Sequence, residues 1–94
     1  MEIQAVADSE QIETVAVLAE EIWREHFTAI IGKAQVDYML EKFQSAPAIS
    51  EQIGRGFLYY LIRNNSLDAG YFAVQPARAD LLLSKLYIRS DERG

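Results

Sequence analysis

The most versatile side chain for acid–base chemistry in this 94-residue sequence is its single histidine, His26. An imidazole acts as a general base when the proton it removes lies within hydrogen-bond reach, directly or through one water. The alternative is a packing role, because His26 lies on or beside the apolar face of a predicted helix. Three glutamates of the same helix, Glu20, Glu21 and Glu25, could attract a cationic amine, although a glutamate-rich outer face is usually only solvated.

Composition excludes several other classes of site. The sequence contains no cysteine, so it offers no thiolate ligand or disulfide, and one histidine leaves a zinc or haem site short of ligands. A net charge of -5 with scattered Lys and Arg residues argues against nucleic-acid binding. No apolar run approaches the roughly 20 residues of a membrane span, and the N-terminus is acidic. We therefore expect a cytoplasmic protein with no membrane partner.

Two helical regions are predicted to carry these side chains. Apolar residues at i, i+3, i+4 and i+7 spacing predict an amphipathic helix over residues 9–27. Asp8 and Gln11 have the spacing of a capping box at its start. A second helical region covers residues 33–53, and Pro47 should end or kink its first part.

Four strands complete the predicted fold. A short alternating segment predicts a strand at residues 2–7, and aromatic and β-branched residues predict strands at 57–63, 69–75 and 80–89. The order is β-α-α-β-β-β, which indicates an α/β fold with a mainly antiparallel sheet in a single domain, residues 1–94.

The last strand, with the sequence LLLSKLYI, is unusual for the edge of a sheet. Both of its faces are mainly apolar, so it is expected to be covered on both sides, as a central strand would be. Edge strands normally carry charge or proline that prevents further pairing. Ser84 and Lys85 suggest no chemistry, and Lys85 is interpreted as a lysine that extends its amine to solvent.

Several segments, taken in order, resemble a known family. The segments are EIWREHF followed by IIG, then QVDYMLEKFQS, the hairpin FLYYLI…GYFAV, and LLLSKLYI…RG. Together they are similar to the N-terminal half of a GNAT-superfamily N-acetyltransferase, over essentially the whole chain. In that family the strand matching 80–89 is the fourth of the sheet. It leads into a glycine-rich loop that binds the pyrophosphate of acetyl-CoA, and the resemblance implies that this chain ends at the start of that loop.

The resemblance also implies a set of acetyl-CoA contacts. Arg93 and Gly94 match the first two positions of the pyrophosphate loop. The backbone of Leu86, Tyr87 and Ile88 matches the strand that pairs with the pantetheine arm and offers an N–H group to the thioester carbonyl. Such a donor stabilises the oxyanion that forms when an amine attacks the thioester directly.

The pocket for the acceptor, a small-molecule or peptide amine, is implied to lie on the two helices and the neighbouring strand ends. Trp23, His26, Phe27, Tyr38 and Tyr71 are the candidate residues, and core packing is the alternative for each aromatic side chain. No general base is assigned.

Two functions remain open at this stage. The resemblance implies a parent enzyme that transfers acetyl from acetyl-CoA to a primary amine, with this chain alone expected to be inactive. The alternative is a small non-catalytic α/β module that acts through strand-edge association. Both interpretations predict a dimer or other self-association through the exposed edge of strand 80–89.

Overall fold

A computed structural model describes residues 1–65, 67–76 and 81–89 of the chain. The elements are β1 (Glu2–Ala5), α1 (Ser9–Ile31), α2 (Lys33–Met39), a π-helix (Leu40–Gln44), α3 (Ala46–Gly54), β2 (Leu58–Asn64), β3 (Leu67–Pro76) and β4 (Leu81–Ile88). This order confirms the predicted fold class. Arg93 and Gly94 lie outside the described residues, as does the first residue of the predicted strand 80–89.

Helix α1 begins at the predicted capping box. Asp8 Oδ1 accepts a hydrogen bond from the Gln11 N–H at 2.8 Å, and Gln11 Oε1 accepts one from the Asp8 N–H at 3.1 Å. The helix continues four residues beyond the predicted end and stops at Gly32, whose φ of 88° is a conformation that other residues rarely adopt. Within the described part of the chain, no helix is both long and apolar enough to cross a membrane.

The second helical region consists of three pieces rather than one helix with a kink. Its break lies at Ser45, whose extended backbone (φ -77°, ψ 161°) starts α3. The Ser45 hydroxyl accepts from the Ala48 N–H at 3.3 Å and donates to the Glu41 carbonyl at 2.7 Å. Pro47 lies in the first turn of α3, where its missing N–H has no intrahelical acceptor to lose. The proline therefore marks the start of α3.

The sheet is antiparallel throughout, in the order β1-β2-β3-β4. Between β3 and β4 the register shifts, because Ala73 pairs with Lys85 whereas Val74 pairs with Leu83. Ser84 is thus an extra residue in β4, a β-bulge that re-aims the strand beside it. Among the described strands, β4 forms one edge of the sheet.

The helices cover one face of the sheet. The core between them contains Val15, Leu18, Ala19, Ile22, Trp23, Val36, Leu40, Ile49, Tyr59, Leu61, Tyr71 and Ala73. On the opposite face Tyr60 and Phe72 stack at 4.9 Å, and Leu86 of β4 is 53% exposed. The expectation that β4 is covered on both sides is therefore not met by the described residues, in which no element packs on this second face.

Candidate functional site

A row of aromatic rings connects the centre of the sheet to the last turns of α1. Tyr59 and Tyr71 stack with their centroids 6.4 Å apart, and Tyr71 is 5.5 Å from Tyr87 on β4. Trp23 then lies 5.6 Å from Tyr87 and 4.5 Å from Phe27. Cross-strand register brings the tyrosines together, and four-residue helical spacing does so for Trp23 and Phe27.

At the outer end of this row, α1 and β4 enclose a cavity of about 350 Å³. It is lined by His26 and Phe27 from α1 and by Leu86, Tyr87 and Ile88 from β4. The His26 side chain is exposed rather than packed in the core, and its ring meets the edge of Phe27 at 5.1 Å. The structure thus brings two of the predicted acceptor residues together with three of the predicted acetyl-CoA residues. We call this space the β4 cavity.

The backbone of β4 directs a hydrogen-bond donor away from the sheet beside this cavity. The Arg89 N–H donates to the Ala69 carbonyl of β3 at 2.8 Å. Successive N–H groups of a strand alternate in direction, so the Leu86 N–H, three residues earlier, points to the opposite, outer edge of β4. The Leu86 N–H therefore has a position and a direction that suit a hydrogen bond to a carbonyl group of a ligand.

The other three predicted acceptor residues lie elsewhere. Trp23 (7% exposed) and Tyr71 (0% exposed) belong to the core and support the cavity wall from behind. Tyr38 is 52% exposed on α2, where its hydroxyl accepts from Lys42 Nζ at 3.0 Å, and it does not line the β4 cavity. Only His26 and Phe27 are therefore both near β4 and open to a ligand.

The buried aromatic hydroxyls and the indole N–H are polar groups inside an apolar layer. Burial raises the pKa of Tyr71 and of Tyr87. The Tyr71 hydroxyl donates to the Gln44 side-chain oxygen at 2.7 Å. Trp23 Nε1 has no hydrogen-bond partner among the described residues.

A half-buried polar junction beneath β4 was missed by the sequence reasoning. Lys85 Nζ donates to the Phe43 carbonyl at 3.0 Å, to Gln52 Oε1 at 3.0 Å and to the Tyr59 hydroxyl at 2.6 Å. The Tyr59 hydroxyl in turn donates to Gln52 Oε1 at 2.6 Å. The lysine therefore does not extend its amine to solvent as expected; it connects β4 to the π-helix, α3 and β2.

This junction is electrostatically unusual, since three acceptors surround one half-buried ammonium. Burial lowers the pKa of Lys85 to about 8, and burial raises the pKa of Tyr59. One sequence signal was present: Lys85 has the same strand parity as the inward-facing Tyr87. No feature of the sequence predicted the π-helix that presents the Phe43 carbonyl.

A larger cavity lies elsewhere, between α1 and the α2–π-helix segment, and measures about 570 Å³. Its rim is charged, with Glu13, Glu20, Arg24, Lys33, Asp37 and Glu41 among the lining residues. Asp37 pairs with Arg24 at 2.7 Å and with Lys33 at 2.9 Å, and these partners lower its pKa. None of its described lining residues belongs to β4, so it is not the candidate site. Among the described residues, no cluster of His, Asp or Glu could hold a metal ion.

Comparison with known proteins gives one informative result. No protein-family model matches the chain, and no curated protein matches it either. Among solved structures, the chain is similar to PaiA N-acetyltransferase from Thermoplasma acidophilum in complex with coenzyme A, with a TM-score of 0.79 and 18% sequence identity. The match covers 99% of this chain and 62% of the PaiA chain. The chain thus shares its fold with about three-fifths of the PaiA chain, which agrees with the fold that the resemblance implied.

Proposed function

We propose that this chain forms the acceptor side and the β4 edge of an acetyl-CoA-dependent N-acetyltransferase site, in a cytoplasmic protein that acetylates a primary amine. Similarity of fold alone does not establish activity. The observation that carries the proposal is the β4 cavity, in which His26 and Phe27 of α1 adjoin the backbone of Leu86–Ile88.

The residues of the cavity suit attack by an amine on a thioester. Acetyl-CoA supplies the activated acyl group. The Leu86 N–H, directed to the outer edge of β4, donates to the carbonyl oxygen and stabilises the negative charge that develops there. The rings of Phe27 and Tyr87 exclude water and so strengthen this interaction. His26, which lines the same cavity, would accept the proton that the attacking amine loses. The acyl C–S bond would then break, which leaves the acetyl group on the amine nitrogen and releases coenzyme A as its thiol.

The 94-residue chain spans 62% of the length of PaiA, so the activity of a whole enzyme is a proposal for this sequence. The proposed pyrophosphate contacts, Arg93 and Gly94, lie outside the described residues. We propose that the chain by itself binds acetyl-CoA weakly, through the acetyl–pantetheine end, and does not turn it over.

The test is a titration of the ¹⁵N-labelled chain with acetyl-CoA, with ATP as a polyanion control. We expect acetyl-CoA, but not ATP, to shift the amide signals of Leu86, Tyr87 and Ile88. An assay for free thiol with a mixture of amines should detect no coenzyme A release. Shifts confined to residues outside β4 would contradict the proposed site, and sustained thiol release would contradict the proposed inactivity.

A pair of substitutions at one position isolates the backbone donor. Leu86→Pro removes the N–H, and the sheet should tolerate it because this group points away from β3 in an edge strand. Leu86→Ala keeps the N–H and removes the side chain. The proline variant should weaken acetyl-CoA binding about tenfold more than the alanine variant, since one hydrogen bond is lost. Equal losses of acetyl-CoA affinity in the two variants would contradict the proposed role of the Leu86 N–H as a hydrogen-bond donor.

A second candidate function has its own supporting observation. β4 is an edge strand whose Leu86 is 53% exposed, and Leu58 on the neighbouring β2 is 42% exposed. These features favour a non-catalytic module that associates by strand addition. Binding of acetyl-CoA at β4 separates the two functions, because strand addition does not require it.

A further inference from the structure

We propose that the β4 cavity selects a primary amine carried on an aromatic side group, an arylalkylamine, over a polyamine. This inference rests on the proposed function, because it assigns the amine acceptor to the same cavity. It concerns the class of acceptor, which the fold does not specify.

The lining of the cavity favours an aromatic group. Phe27 and Tyr87 supply rings, and Leu86 and Ile88 adjoin the cavity on either side of Tyr87 along β4. The Phe27 ring is held at a tilt of 41° against Trp23, and the Tyr87 ring at 55° against the same indole. These rings are fixed by the core behind them, so an incoming ring can pack against them with little loss of side-chain freedom.

The polar groups at the cavity suit a single ammonium. None of its five described lining residues is acidic, and His26 is the one nitrogen-bearing side chain among them. An ammonium can donate to an imidazole nitrogen and interact with the faces of Tyr87 or Phe27. The nearby carboxylate of Glu21 on α1 is already paired with Arg89, at 3.4 Å. One positive charge next to an aromatic group is therefore accommodated, whereas the five described lining residues offer no carboxylate to a second charge.

The second large cavity provides a contrast within the same molecule. The 570 Å³ cavity between α1 and α2 carries the carboxylates of Glu13 and Glu41 on its rim, besides that of Glu20, which pairs with Arg24 at 3.2 Å. A polyamine, with charges spread along an aliphatic chain, should prefer that surface to the β4 cavity. The two cavities thus predict different locations for two classes of amine.

The experiment titrates the 94-residue chain with 2-phenylethylamine and, separately, with spermidine. The single tryptophan, Trp23, contacts two rings of the cavity wall and serves as a fluorescence reporter, and ¹⁵N amide shifts locate each ligand. We expect 2-phenylethylamine to quench or shift Trp23 emission and to move the signals of Phe27 and Tyr87. Spermidine should move signals near Glu13 and Glu41 and bind at least tenfold more weakly at the β4 cavity.

A matched pair of variants tests the role of the ring. Phe27→Leu keeps an apolar side chain against Trp23 but removes the aromatic face. Phe43→Leu makes the same change on the exposed side of the π-helix, away from the cavity. The first variant should weaken 2-phenylethylamine binding about fivefold to tenfold, and the second should leave it unchanged. His26→Gln, at an exposed position, should weaken binding of the amine but not of toluene.

The results that would overturn the inference are specific. Equal binding of spermidine and 2-phenylethylamine at the β4 cavity would contradict the proposed selectivity. Equal losses of 2-phenylethylamine affinity in Phe27→Leu and Phe43→Leu would contradict it as well. The absence of shifts at Phe27 and Tyr87 with 2-phenylethylamine would remove the site. Failure of acetyl-CoA to bind while the arylalkylamine binds would instead count against the acetyltransferase function and leave the amine site in place.

Discussion

Lys85 shows how one side chain links the sheet to the helices. Its ammonium donates to a carbonyl exposed by the π-helix, to Gln52 of α3 and to Tyr59 of β2. Burial of the ammonium disfavours its charged form and lowers the pKa of Lys85. The bulge residue directly before Lys85 places this junction next to the β4 backbone that we assign to the acyl group.

The lowered pKa of Lys85 predicts a distinctive dependence of stability on pH. In the unfolded chain the amine has a pKa near 10.5, against about 8 in the folded chain. Between these values the unfolded chain binds more protons, so the free energy of unfolding should rise from pH 8 to pH 10 by about 1 kcal/mol, a value reduced because the amine is partly exposed. Above pH 10 it should fall, because the raised pKa values of Tyr59, Tyr71 and Tyr87 keep these groups protonated in the folded chain.

Urea unfolding at a series of pH values measures this directly. Lys85→Met should abolish the rise between pH 8 and pH 10 and retain the fall above it. Lys42→Met, which removes an exposed lysine of the π-helix, is the control and should keep both. A Lys85→Met profile parallel to that of the unsubstituted chain would show that the junction does not depress the pKa.

At the level of single residues, the sequence predicted part of the site and the reasons are physical. His26 and Phe27 could be nominated because they end a clear helical stripe, and Leu86–Ile88 because they end a strong strand. Lys85 was assigned to solvent because its three acceptors come from elements 26 to 42 residues away along the chain. One of those acceptors, the Phe43 carbonyl, is presented by a π-helix whose sequence, LEKFQ, also fits an ordinary α-helix.

Among the elements, the close approach of β3 and β4 depends on Gly70. A Cβ built on this residue would overlap the Tyr87 carbonyl oxygen and lie 3.1 Å from the Ile88 Cα. Both neighbours are backbone atoms that pair directly across the strands, so they cannot move without separating β4 from β3. The position of the β4 cavity therefore relies on a missing side chain in β3.

Gly70→Ala should accordingly destabilise the chain by about 2 kcal/mol through overpacking and should shift the amide signals of Tyr87 and Ile88. Gly54→Ala provides the matched control, because a Cβ there meets no atom within 4 Å. That substitution, at the last residue of α3, should be neutral or stabilise by up to about 1 kcal/mol. Thermal unfolding of both variants measures the difference, and equal stabilities would contradict the tight β3–β4 contact.

Element type was more predictable than element boundaries. The capping box at Asp8 fixed the start of α1, because two side-chain–backbone hydrogen bonds reinforce each other over three residues. The end of α1 was placed too early, since Thr28–Ile31 continue the helix and only Gly32 leaves helical backbone. The break at Ser45 was attributed to Pro47, two residues later, because the proline is the stronger breaker in isolation.

At the scale of the whole molecule, the described chain covers only one face of its sheet. The other face exposes Leu58 (42%), Leu86 (53%) and Ile3 (57%), around the stacked pair Tyr60 and Phe72. β4 also presents its outer edge, and none of its described side chains from Lys85 to Ile88 places a charge on that exposed face. Soluble proteins usually avoid the combination of an exposed apolar face with an exposed edge strand.

This surface leads us to propose that two copies of the chain associate through β4. Antiparallel pairing of the two edges would join the sheets and give a symmetric contact, in which Leu86 of each copy lies near its equivalent. Sedimentation velocity should show a weight-average mass that rises above 10.7 kDa as concentration increases. Leu86→Lys should hold the chain at the monomer mass, because a charge on an edge strand opposes further pairing.

Leu67→Lys is the matched control for that substitution. Leu67 is at least as exposed, at 60%, but it begins β3 beside the hairpin and lies at the end of the sheet away from the centre of the β4 edge. It should leave the concentration dependence unchanged, since the added charge does not meet its counterpart across the proposed contact. A similar loss of association in both variants would point to general hydrophobic clustering rather than edge pairing. A chain that stays at 10.7 kDa at every concentration would rule out association through β4, and the acetyl-CoA titration would then remain the deciding measurement for that edge.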